Sequence, residues 1–300
     1  MHKPVLLNEV IEYLDPKPDQ NFIDCTVGEA GHSLAILNKT QPNGKILGID
    51  ADSESLKRIQ PNEKLILVSG NFKDLKTIAG ENNFIKVNGV LFDLGLSSWQ
   101  LDESGKGFSY KKDEPLTMIF NNSQAVTAQE IINTWPEEEL IKIFREYGEE
   151  RFARKIVQRI VQHRGLAPIQ TTSQLFEIIK KSVPFSRGGH GRPADGRGRA
   201  DRVAARIFQA LRIAVNDEME NLKKGLEQAF QILNKEGRVV VISFHSLEDR
   251  IVKWFFKDLE KQGKIKILTK KPITAGRAEI IANSRSRSAK LRAAMYIGEI

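Results

Sequence analysis

The chain has 300 residues, 40% of them hydrophobic, enough for one large packed domain or two ordinary ones. Its net charge of +8 and pI near 9.4 favour a polyanionic partner. A single cysteine, Cys25, excludes an intramolecular disulfide or a cysteine zinc cluster and fits a reducing compartment, and no run of about 18 apolar residues could span a bilayer.

Met1-His2-Lys3-Pro4 leads directly into Val5 to Ile11, a short amphipathic helix with no signal-peptide pattern before it, so a cytoplasmic location is expected. Phe22-Ile23-Asp24 reads as a strand running into a glycine loop, Cys25 to Gly31, which opens a helix at Ser33. Glycines after a strand let the backbone turn sharply and approach a ligand, and the helix N-terminus that follows offers unpaired N–H groups. Lys45 to Asp50 is a second buried-type strand, ending on an acid 22 residues beyond Gly28, close to the spacing of a ribose-binding carboxylate. A carboxylate there can accept hydrogen bonds from two sugar hydroxyls at once. Lys64 to Val68 is a third strand, followed by Gly70-Asn71-Phe72, and Val87 to Gly95 holds a fourth that ends in Asp93. Strands alternating with helical patterns imply a parallel sheet with helices on both faces, whose ligands sit beyond the strand C-termini. That puts the Gly28 loop, Asp50, Phe72 and Asp93 on one rim. Phe72 can equally flank a flat base or fill the core.

From Ser109 to Val215 the periodicity is helical, over 124–133, 137–147, 150–162 and 173–181, with a long segment from Arg202 to Leu233 and no convincing strand. This predicts a helical insert within the sheet domain. Residues 186–199 are rich in glycine and arginine with one acid, Asp195, and suit phosphate contact as a basic loop. Gly237 to Phe244 is a fifth strand running into His245-Ser246-Leu247-Glu248-Asp249-Arg250 at the same rim. Ile265 to Thr269 and Ala293 to Ile297 can form a closing hairpin, joined by a segment holding Lys270, Lys271, Arg277, Arg285, Arg287, Lys290 and Arg292 against Glu279 alone.

A glycine loop with acids on the second and fourth strands fits either a nicotinamide dehydrogenase or an S-adenosylmethionine (SAM) methyltransferase. Glu29 lies within the turn, where it would repel a pyrophosphate but could face a cationic methionine moiety, so SAM is preferred. Attack through a pyrimidine carbon generally needs a thiolate adduct, and Cys25 sits on the cofactor strand. An exocyclic amine or a hydroxyl could attack directly, with Asp93, His245 or a backbone carbonyl accepting a hydrogen bond from it.

These residues resemble the ribosomal RNA small-subunit methyltransferase H (MraW) family. The matching segments are Pro4 to Leu7 with Glu9, Asp24 to Ser33, Asp93 to Ser98 with Gln100-Leu101-Asp102, Gly107-Phe108-Ser109, Tyr147 to Glu150, Phe208 to Ile213 with Val215-Asn216, Ser243 to Arg250, and Asn283 to Ala289 with Leu291-Arg292. The resemblance implies an α/β fold, a Rossmann-like class I SAM-dependent methyltransferase sheet with an inserted all-helical domain. Residues 1–108 and 216–300 would form the SAM-binding domain and 109–215 the helical substrate-recognition domain. It implies methylation of the exocyclic N4 of a cytosine in the decoding region of small-subunit (16S) rRNA, with SAM as methyl donor and no metal. By position the SAM contacts fall on Ala30, Gly31, His32, Asp50, Phe72, Asp93 and Gln100, beside Gly28 of the turn. Asp93 and His245 are the catalytic candidates, and Ser246, Arg250, Arg285, Arg287 and Arg292 the substrate-binding ones. The partner would be small-subunit rRNA or an assembled 30S-type subunit, bound by a monomer or homodimer away from any membrane.

The chain departs from the family pattern in places. A family glycine is Ala30 here, which a backbone contact tolerates if φ stays negative. Thr117 and Ile119 replace an acid and an arginine, and Arg202 to Ala205 replace His-Pro-Ala. The alternatives are therefore a noncatalytic or weakly active RNA-binding relative, or a methyltransferase on a non-RNA substrate.

Overall fold

Branched aliphatic runs alternate with amphipathic helices from the N-terminus, and in the structure those runs become parallel strands buried on both faces. The structure is a computed structural model that describes residues 4–121, 126–183 and 198–298. Its elements begin α1 (Leu7–Leu14), β1 (Phe22–Asp24), α2 (Gly31–Thr40), β2 (Ile46–Asp50), α3 (Ser53–Leu56), β3 (Leu65–Ser69), α4 (Leu75–Glu81) and β4 (Val87–Asp93). A helical stretch follows with α5 (Ser98–Asp102), α6 (Ala128–Thr134), α7 (Glu137–Glu146), α8 (Ala153–Arg164), α9 (Thr172–Ser182) and α10 (Arg199–Asn216). The chain closes with α11 (Glu218–Gln231), β5 (Leu233–Ser243), α12 (Ser246–Lys261), β6 (Ile265–Ile267), α13 (Arg277–Ala282) and β7 (Lys290–Tyr296).

Contacts divide the chain into two units, residues 1–97 with 219–300, and residues 98–218. The first is a seven-stranded sheet in the order β3-β2-β1-β4-β5-β7-β6, parallel through β5. β7 runs antiparallel to β5 and β6 antiparallel to β7, so the closing hairpin lies on the β5 side. Strand order reverses between β1 and β4, which makes the C-terminal ends of these two strands the switch point where α/β sheets receive ligands.

Alternation along the strands sorts the core into two layers. Phe22, Ile46, Leu91, Val240 and Ile242 pack against α1 and α2 through Val10, Leu14, Ile36 and Leu37. Ile23, Leu47, Val90, Phe92, Val239 and Val241 pack against α11 and α12 through Leu222, Leu226, Phe230, Val252 and Phe256. β5 starts earlier than the sequence pattern suggests, because Leu233 pairs with Val87 before an irregularity lets Arg238 pair with Gly89.

The second unit is helical, and among its described residues the only strand-like pairing is an isolated bridge between Pro115 and Thr171. Val203, Ala204, Ile207, Phe208 and Leu211 form the buried stripe of α10, at the spacing of one helix face. Thr171 and Gln174 close a capping box on α9, and Thr127 caps α6. The single long helix expected from Arg202 to Leu233 is two. Asp217 stops α10 at φ 50, a left-handed conformation aspartate tolerates, and Arg212 ties the corner with hydrogen bonds of 2.7 and 2.9 Å to Glu218.

The unit boundaries fall at 97/98 and 218/219, where the sequence pattern suggests 108/109 and 215/216. Local bonds account for the first shift: the Lys106 carbonyl accepts from the Met118 N–H at 2.7 Å and the Thr117 hydroxyl at 2.9 Å, and the Gly107 N–H donates to Glu114. No described helix is long and apolar enough to cross a membrane.

Candidate active site

At the end of β1 the buried Asp24 carboxylate accepts the Ser33 hydroxyl at 2.7 Å and the Thr26 N–H at 3.2 Å, fastening the first turn of α2 to the strand. Burial pushes this carboxyl above its ordinary range. The Thr26 hydroxyl in turn accepts the Asp93 N–H at 2.6 Å, so the ends of β1 and β4 are held together. Between them the loop turns twice through left-handed backbone, at Gly28 with φ 50 and at Ala30 with φ 62. The condition under which alanine is tolerated at residue 30, a negative φ, is thus not met. The turn geometry demands the left-handed region, and an L-residue with a Cβ pays about 1–2 kcal/mol to adopt it where glycine would not. A Cβ on Gly31 would stand 2.4 Å from Pro4 Cγ, so glycine there lets the N-terminal segment seat against the loop.

Asp50 closes the loop from β2. One carboxylate oxygen accepts the Gly28 N–H at 2.9 Å and the other the Asp52 N–H at 2.9 Å, leaving each oxygen a further lone pair. Burial raises its pKa to about 6 against those hydrogen bonds. Glu29, in the turn, is exposed.

Past β3, Asn71 caps a short 3-10 turn, Phe72–Asp74, by accepting the Lys73 N–H. The half-buried Phe72 ring meets Phe92 edge-on at 5.5 Å, and a Cβ on Gly225 of α11 would lie 2.8 Å from it. Phe72 therefore braces the core along one edge and keeps part of its surface open at the rim, which accommodates both roles its position allows.

Asp93 and His32 carry unpaired polar atoms of the rim, as do Ser243 and His245 at the end of β5. Asp93 Oδ2 lies 3.4 Å from His32 Nε2, while Asp93 Oδ1 and both imidazole nitrogens are buried without a hydrogen-bond partner. His32 is 6% exposed, so these atoms were desolvated on folding without a hydrogen bond from the chain in return. Such atoms at a switch point fit a polar ligand.

On β5 the Phe244 ring lies against Gly95, where a Cβ would stand 2.7 Å from it. His245 is the N-cap of α12. Its Nδ1 accepts the Glu248 N–H at 3.4 Å, and Glu248 accepts the Phe244 and His245 N–H groups at 2.7 and 3.2 Å. Nε2 stands 3.1 Å from the other Glu248 oxygen. The imidazole is folded back on its own helix, and His-x-x-Glu before an amphipathic run is the sequence signal for this cap. Ser246 is half-buried in the first turn of α12; Arg250 and Arg287 are exposed, and Arg285 is half-buried.

Arg292 requires a correction. Assigned to substrate phosphates, it is 8% exposed in β7, with Nε 2.7 Å from Asp249. Burial works to raise the Asp249 carboxyl, but Arg292 and Lys290 outweigh it and hold it below its ordinary value. A strand facing α12 buries this guanidinium in an internal ion pair. Gln100 is buried in α5 of the second unit, apart in the chain from the other cofactor candidates, all of which belong to the first. Of the basic loop 186–199, all but Gly198 and Arg199 lie outside the described residues.

A family model described as the MraW methylase family matches residues 1–297. The chain belongs to this family. Among curated relatives, the ribosomal RNA small subunit methyltransferase H of Clostridium botulinum (strain Loch Maree / Type A3) is 45% identical over 312 residues, covering 97% of each chain. The protein of the same name from Symbiobacterium thermophilum is 43% identical over 319 residues, covering 99% of this chain and 96% of that one. A solved structure of a putative rRNA-methylase from Clostridium thermocellum aligns over 100% of both chains with 11% identity and a TM-score of 0.47. The sheet of this MraW-family chain is the Rossmann-like class I methyltransferase sheet. The family's departures have plain structural settings: Thr117 bonds the Lys106 carbonyl, and Val203 and Ala204 are buried in α10.

Proposed function

We propose that the protein is a SAM-dependent methyltransferase that modifies the exocyclic N4 amine of a cytosine in the decoding region of small-subunit (16S) rRNA, in the cytoplasm. The observation that carries this reading is the β1–β4 rim of an MraW-family chain, where Asp50, His32 and Asp93 offer polar atoms around one glycine turn. The names of the relatives point to small-subunit rRNA as the substrate.

SAM would be held by Gly28 to His32, Asp50, Phe72 and Asp93, and when bound it supplies an electrophilic methyl group on a sulfonium. Asp50, whose oxygens each keep a lone pair, would accept the two ribose hydroxyls. Phe72 offers its open surface to the adenine. The low dielectric of the rim strengthens the attraction of Asp93 for a positively charged ligand.

The lone pair of a cytosine amine is delocalised into the ring. An N–H donated to Asp93 localises that pair for in-line attack, and the chain's further contribution is to hold the extruded base at attacking distance. His245, occupied as a helix cap, acts as a positioning residue for the Phe244 to Arg250 segment, on which Ser246 and Arg250 meet the substrate. The helical unit recognises the surrounding rRNA.

Incubation with labelled SAM and undermodified small subunits, followed by nucleoside mass spectrometry, is expected to yield N4-methylated cytidine at one site. Transfer to protein or to a small molecule alone, or SAM binding with no transfer, would overturn the reading. Asp93→Asn is expected to slow turnover at least 100-fold with SAM affinity changed far less.

A further inference from the structure

The rim leaves one feature of the first unit without a role. Trp254, on α12, is 50% exposed, although the neighbouring Val252 and Phe256 are fully buried and complete the inner face of the helix. Lys253 Nζ lies 5.2 Å and Lys257 Nζ 4.9 Å from the centre of its ring. Among the described residues neither ammonium has an ion pair.

Helical spacing extends the feature. Arg250, Trp254, Lys257 and Lys261 share one face, running about 16 Å along the axis, the length of several phosphate spacings. The acids of α12 are engaged elsewhere: Glu248 caps the helix, Asp249 holds Arg292 and Lys290, and Glu260 accepts the Ile267 N–H at 3.0 Å. Asp258 alone stands beside the stripe, 3.9 Å from Lys261. An exposed indole flanked by cations has the composition of a nucleic-acid stacking platform, in which the ring takes a base and the cations take the adjoining phosphates.

We propose that Trp254 with Lys253 and Lys257 forms an RNA-docking surface that stacks an unpaired nucleotide of the rRNA outside the methylated one. The proposal rests on rRNA being the substrate. On binding, a base replaces an ammonium over the indole and the displaced lysine moves to a phosphate, so stacking and charge neutralisation are gained together. α12 starts at the acceptor rim, so this surface would hold RNA flanking the target along the outside of the same helix.

The test uses the full chain, a short single-stranded oligocytidylate and an RNA duplex of equal length. Trp254→Ala is expected to weaken oligocytidylate binding about tenfold, Trp254→Phe to retain most of it, and the share of tryptophan fluorescence quenching that arises at Trp254 to be lost in both, leaving only that of Trp99 and Trp135. Replacing Lys253 and Lys257 together with Gln should lower the logarithmic salt slope by about 1.4. SAM affinity and circular dichroism should be unchanged, which separates docking from folding. Wild-type affinity in Trp254→Ala overturns the surface alone. No RNA binding by the wild-type protein overturns the rRNA reading and the surface with it. A wild-type dimer dispersed by Trp254→Ala at unaltered RNA affinity would assign the surface to a second copy and overturn the proposal.

Discussion

Asp50 links the cradle to solution conditions. Its carboxyl titrates near 6 in the folded chain and at 3.8 ordinarily, so between these values the native state binds more protons than the unfolded one. Stability of the free protein therefore falls as pH rises through that window, by up to about 3 kcal/mol from this group. Hydroxyl donors favour the ionised form, so SAM affinity should run the other way and weaken as pH drops below about 6. Calorimetric titrations across this range check the sign. Asp50→Asn should flatten the contribution to stability and cost at least tenfold in SAM affinity, since it removes a charge-assisted acceptor from both sugar hydroxyls. Unchanged affinity in Asp50→Asn and Asp50→Ala would remove Asp50 from the cradle.

At the scale of elements, the rim depends on how closely helices approach the sheet. α11 carries Gly225 where any side chain would press on Phe72, and the same glycine is 3.3 Å, measured from an added Cβ, from Phe92. Gly225→Ala forces the Phe72 ring to move, costing about 1–3 kcal/mol as overpacking and lowering SAM affinity. Thermal denaturation and SAM titration of the same variant give both readouts; a variant that loses neither would show Phe72 to be dispensable. α12 follows the same logic at its N-terminus, where Glu248 satisfies two backbone donors and fixes the exit of β5. Helix caps and glycine contacts, more than the strand sequences themselves, set the shape of the rim.

For the whole molecule, the +8 charge sets the association with polyanions. If six or more phosphates are neutralised, RNA affinity should fall by roughly 1,000-fold or more between about 50 and 200 mM salt. Binding measured across that range decides; a flat profile would exclude phosphate contact as the source of affinity. The exposed Arg287 can add to this attraction, whereas Arg292 is committed to Asp249 and should contribute to stability instead.

How much of this is written in the chain follows from which interactions are local. The strand–glycine–helix pattern, the acid at Asp50 and the alternation of strands and helices determine the sheet, its rim and the residues on it, because side-chain period and turn chemistry act over a few residues. The sequence also carries the break that it did not advertise, since Asp217 looks like any polar helix residue until its φ of 50 is known. Ala30 in left-handed backbone and Arg292 buried on Asp249 belong to tertiary structure, whereas the His245 cap is written locally in Glu248 three residues on. The Arg292 pair depends on a partner brought in by the fold, and whether a polar group faces a ligand or another residue is settled by the burial and pairing around it.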